Sequence, residues 1–102
     1  MLQVFADALR LVCQGHVGRV VDGIDVQTRE LLTFAMLAAL GGCDAQVEGH
    51  VAGNLNVGND RARLLSVLTV LIPFIGYPRT LNALRALDEI APADPKRQDQ
   101  SR

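Results

Sequence analysis

A carboxylate, a thiol and an imidazole, Glu30, Cys43 and His50, fall within residues 25–56 (DVQTRELLTFAMLAALGGCDAQVEGHVAGNLN), the one stretch where this chain concentrates chemistry. Brought together, such groups can pass protons or activate a thiol. Cys43 and His50 are two helical turns apart, so a helix carries both on one stripe, with Gln46 between them and Asn54 one turn beyond. Glu30 has to come from the preceding element. Each group also has a plainer use. A carboxylate in the first turn of a helix meets the favourable end of the macrodipole, and Arg29 stands beside Glu30 as an ion-pair partner. A histidine flanked by Val47, Val51 and Leu55 is often half-buried and hydrogen-bonded for stability alone. A cysteine at a helix start either gains reactivity there or packs as a small hydrophobe. The amides of Asn54 and Asn56 either orient a ligand or end their helix before Gly58.

Cys13 and His16 add a thiol and an imidazole upstream. With Cys43 and His50 they would make a two-Cys, two-His set, but their spacings match no zinc motif, and the expectation is no metal. Two cysteines suit a reducing cytoplasm, and a Cys13–Cys43 disulfide stays open at this level.

The elements that must hold these groups read as helices. Residues 2–13 repeat apolar positions at helical spacing (Leu2, Phe5, Ala6, Leu9, Val12), after which Gly15 and Gly18 loosen the chain and GRVVDGID connects onward. Asp25 is placed to cap a second helix running to about Leu40, closed by Gly41-Gly42. A third helix covers Asp44 to Asn56, NVGND turns the chain, and Asp60 caps a fourth over residues 61–72. Pro73 is expected to disrupt that helix with a short kink or break, because proline lacks the amide proton and crowds the preceding turn. After GYP, with Pro78 suited to a first turn, residues 79–90 form the last helix. No strand alternation, repeat or phosphate-binding loop is present, so the fold class is all-α. Residues 1–91 read as one domain, and residues 92–102 (PADPKRQDQSR), with two prolines and no apolar period, as a disordered tail.

At 102 residues the chain can bury only somewhat more than roughly 60% of the surface of its unfolded form. Yet 49% of its residues are hydrophobic, and residues 31–40 (LLTFAMLAAL) are apolar on every side except at Thr33, so self-association is expected to cover the excess. A net charge of −1 with four aromatic residues offers neither a basic stripe nor a stacking platform, which argues against nucleic acid. The apolar run at residues 64–77 is shorter than the roughly 20 residues a membrane crossing needs, and no secretory signal is evident; a cytoplasmic protein with a small-molecule substrate is expected.

In sequence order, DVQTREL, an apolar helix, His50 within GHVAGNLNVGND and then FIGYPRTLNAL resemble the carboxymuconolactone decarboxylase family, related to alkylhydroperoxidase D, over about residues 15–90. The resemblance implies a compact helical bundle of the alkylhydroperoxidase D-like type that assembles as dimers, trimers or hexamers, with sites near subunit contacts. Glu30 then matches the glutamate of the family's R-E-L element, and His50 the histidine of the next helix. In the peroxidase branch a Cys-x-x-Cys pair precedes that histidine; Cys43 matches its first cysteine, but Gln46 stands where the attacking cysteine would be. In the decarboxylase branch, which uses no metal or organic cofactor, an acid and a tryptophan often precede the aspartate; here the stretch reads GHVG.

Three readings follow. In a decarboxylase His50 is the acid that protonates an enolate, Glu30 holds its tautomer, and Gln46 and Asn54 bind substrate oxygens. In a thiol peroxidase Cys43 is the reactive group, with His50 as base and Glu30 as relay. The third reading is a ligand-binding oligomer without catalysis. For either chemistry Glu30 and His50 are expected within hydrogen-bond or one-water reach, in a mostly apolar pocket.

Overall fold

Two aspartates and three glycines decide where the helices begin and end. In the computed structural model, which describes residues 23–94, Asp25 caps α1 (Val26–Leu40) by accepting the Thr28 amide at 2.7 Å. That amide, through its hydrogen bond to the carboxylate, holds the Asp25 carboxyl below its ordinary value of 3.8. Gly41 and Gly42, at φ of 75° and 70°, then turn the chain through conformations that side-chain-bearing residues rarely adopt. α2 (Asp44–Asn56) follows, and Asp60 caps α3 (Arg61–Ile75) by accepting the Arg63 amide at 2.9 Å. These starts and stops agree with the sequence reading.

Pro73 does not break α3. The helix continues through it to Ile75 and stops at Gly76, whose φ of 82° and ψ of 169° only glycine reaches comfortably. The proline costs the bond that an amide at 73 would have given to the Thr69 oxygen and crowds that oxygen, but with only Phe74 and Ile75 after it in the helix there is little helix left to displace. Gly76 also serves as the start of α4 (Tyr77–Ile90), which therefore begins two residues before the expected position 79, with Pro78 in its first turn.

Among the described residues all regular structure is helical. α1 packs on α2, α3 and α4, and α4 also packs on α2 and α3. The core is drawn from all four: Phe34 and Ala38, Val47 and Val51, Leu64 and Leu68, then Ala83, Ala86 and Leu87. Phe34, Val51, Leu64 and Leu87 are wholly shielded from solvent; a buried leucine of this kind contributes about 1.5–3 kcal/mol by leaving water. No helix among the described residues is long and apolar enough to cross a membrane. The expected helix over residues 2–13, with Cys13 and His16, lies outside the described residues, as does the tail beyond residue 94.

Candidate functional site

α1 buries one residue per turn, Glu30, Phe34 and Ala38, so the carboxylate continues the stripe that fills the core. α2 answers with Val47, His50, Val51 and Asn54. Where the stripes meet, His50 Nδ1 lies 3.0 Å from Glu30 Oε2, with the two side chains 10% and 6% exposed. The expected proximity is a direct contact within one chain, and Glu30 uses His50 rather than its neighbour Arg29. A carboxylate can only accept, so with Glu30 ionised Nδ1 carries the proton and Nε2 is the basic nitrogen of the neutral ring.

A charged group withdrawn from water recovers the cost only where its surroundings are fully hydrogen-bonded. Around the pair, three side-chain amides bond the main-chain oxygens that flank it. Asn54 Nδ2 donates to the main-chain oxygens of both Glu30 (3.0 Å) and His50 (2.7 Å). Asn59 Nδ2 donates to Asn54 Oδ1 and to the Gln27 main-chain oxygen, each at 2.9 Å, while Gln27 Nε2 donates to the Val57 oxygen at 2.9 Å. Arg63 Nη1 closes the chain on Asn59 Oδ1 at 3.2 Å. No buried side-chain nitrogen or oxygen among the described residues is left without a partner. Gly53 completes the seam: a Cβ at that position would lie 3.1 Å from Glu30 Oε2.

The five residues singled out from sequence thus separate. Glu30, His50 and Asn54 come together, although Asn54 is fully buried, with its amide engaged inside the protein rather than offered to a ligand. Cys43 and Gln46 do not join them. Cys43 is the N-cap of α2, at φ −136° and ψ 49°, with its carbonyl accepting the Val47 amide at 3.0 Å. Its thiol donates to the Leu37 main-chain oxygen at 3.3 Å, and its side chain packs half-buried against the core. Gln46 faces solvent. Asn59, Gln27 and Gly53 lie within the motifs DVQTREL and GHVAGNLNVGND, but nothing in the sequence marks them as site residues. A glycine inside a helix is a signal of close packing, whereas an asparagine in a Gly-Asn turn looks like ordinary turn chemistry.

An open groove of about 370 Å³ between α1 and α3 is lined mainly by Leu31, Leu32, Ala35, Val67, Val70 and Leu71, and none of its walls belongs to the Glu30–His50 pair. Among the described residues no three acidic, histidine or cysteine side chains converge as metal ligands would.

The family model described as the carboxymuconolactone decarboxylase family matches residues 4–89, which includes every residue of this network. No curated protein and no solved structure gives a significant match.

Proposed function

Since the chain belongs to the carboxymuconolactone decarboxylase family, we propose that it is a cofactor-free enzyme that decarboxylates, or moves a proton on, a small lactone or carboxylic acid. The observation that carries this reading is the buried 3.0 Å contact between His50 Nδ1 and Glu30 Oε2. When the substrate's carbon–carboxylate bond breaks, carbon dioxide leaves and the bonding electrons remain as an enolate conjugated with the lactone carbonyl. Protonated His50 delivers the proton from Nε2 to carbon, becoming the neutral Nδ1–H tautomer. Glu30 stabilises the imidazolium before transfer and keeps Nδ1 protonated after it. The next proton returns to Nε2, so the cycle consumes no external oxidant or reductant.

His50→Gln and Glu30→Gln, each assayed against carboxymuconolactone and related lactone acids, test the proposal. Each change is expected to lower kcat by about 10²–10⁴, the usual worth of a placed proton donor. Activity that survives both would place the chemistry elsewhere. A peroxidase reading gains no support from the geometry, since the Cys43 thiol is hydrogen-bonded to a main-chain oxygen and Gln46 offers no second thiol.

Self-association belongs to the same proposal. Leu32, Met36 and Leu40 follow one another along an outer face of α1, and Val70 and Phe74 along α3; Met36 is 62% and Phe74 80% exposed. A second copy would take such apolar surface out of water. Light scattering of the full chain is expected to give a multiple of 11.0 kDa, and a monomer would refute this part.

A further inference from the structure

The buried pair does not place itself. Glu30 and His50 sit on different helices, and their contact requires that α1 and α2 hold a fixed rotation and separation at this level. Asn54 touches both main chains, through one nitrogen bonded to the Glu30 and His50 oxygens. Asn59 in turn holds Asn54 by its oxygen and ties it to the Gln27 oxygen at the start of α1. An asparagine in a turn after glycine is ordinarily solvated. Asn59 is instead fully buried, as is Asn54.

Gly53 acts on the carboxylate itself. With a Cβ there, Glu30 Oε2 would stand 3.1 Å away, tighter than such atoms normally approach, so the carboxylate would have to shift. Gly49, one turn earlier on the same helix, has nothing within 4 Å of the equivalent point. Both glycines weaken the helix, but only Gly53 makes room for the carboxylate.

We propose that Asn59, acting through Asn54, and Gly53 are positioning residues: Asn59 locks the two main chains that carry the pair, and Gly53 lets the Glu30 carboxylate reach His50. This rests on the proton-handling reading of Glu30 and His50, but it is tested without substrate. The readout is the His50 Nδ1–H signal in nitrogen-edited NMR of the full chain, and its exchange with water relative to the buried Leu87 amide of α4. The chain has two histidines, and comparison with His50→Gln assigns the signal.

Gly49→Ala should leave this ratio at the wild-type value. Gly53→Ala and Asn59→Asp, which keeps the shape but removes the amide donor, should each raise it roughly tenfold or more, because they loosen the pair locally rather than the whole fold. If Asn59→Asp does not fold, Asn59→Ser carries the same expectation, with room for a water. Ratios unchanged in both Gly53→Ala and the Asn59 variant would overturn the inference, and so would a wild-type ring with no protected Nδ1–H. A protected ring in a protein that turns over no lactone acid would instead sink the proposed reaction and leave the positioning inference standing.

Discussion

The two halves of α2 carry the same kinds of side chain and use them differently. At its start Cys43 and Gln46 stand half-buried and exposed; from its middle onward His50 and Asn54 are buried in a closed hydrogen-bond chain. At about 100° per residue, Val47, His50, Val51 and Asn54 form the inward arc of the helix, with Gln46 just outside it. Cys43 is the cap residue before the first turn, its carbonyl accepting the Val47 amide. Spacing therefore identifies candidates for a shared face, while helix boundaries and the width of the buried arc decide which candidates meet. A reactive group needs neighbours that fix its orientation, and only the second half of α2 supplies them.

The largest effect that could break this contrast is on turnover. If the second half holds the chemistry, His50→Gln and Glu30→Gln lower activity by about 10²–10⁴ while Cys43→Ser changes it by no more than about twofold. The reverse ranking, or dithiol-dependent reduction of organic peroxides that disappears in Cys43→Ser, would move the site to the first half.

Stability gives the next contrast. Asn54→Ala removes the bonds its side chain makes to the Glu30 and His50 main-chain oxygens and to the Asn59 amide, groups that keep their helical or Gln27 partners, and each lost bond costs about 0.5–1.5 kcal/mol. The expected loss is about 2–3 kcal/mol, because one side chain serves three partners. Gln46→Ala, at an exposed position, should stay within about 0.5 kcal/mol. Urea unfolding of the two variants measures the difference. Equal losses would mean that the network does not stabilise the seam.

How much of this could be read in advance follows from how local each cause is. Asp25, Asp60 and Gly41-Gly42 act within a few residues of themselves, and all three boundaries stood in the sequence. The Glu30–His50 contact was legible through the family resemblance, which matches Glu30 to the R-E-L glutamate and His50 to the histidine on the stripe of the next helix. Pro73 misled, because its effect depends on how near the helix end lies, and Gly76 moved that end. The task of Asn54 was hidden for a different reason. An amide on an inward stripe can face a ligand or a neighbouring backbone, and only the approach of α1 decides between them. Asn59 and Gln27 are still less legible: their partners lie across the domain and leave no periodicity behind.

The helix starts repeat the contrast in a smaller effect. α1 opens with a carboxylate that accepts the Thr28 amide, whereas the residue before α2, Cys43, makes no side-chain cap. Because the Thr28 amide lowers the Asp25 carboxyl below 3.8 in the folded chain, the unfolded chain takes up this proton first as pH falls. The stabilisation from the charged cap is thus complete above roughly pH 4, where the unfolded carboxyl is ionised, and is lost as pH drops through the depressed folded value. An asparagine side chain at this position would cap α1 nearly as well without titrating, so in Asp25→Asn that part of the acid sensitivity should vanish. Melting temperatures of the two proteins should run together at neutral pH and separate below roughly pH 4, with wild type falling faster. Every other titrating group is common to both, so curves that stay parallel to the lowest pH would show that the charge on Asp25 adds nothing to the start of α1.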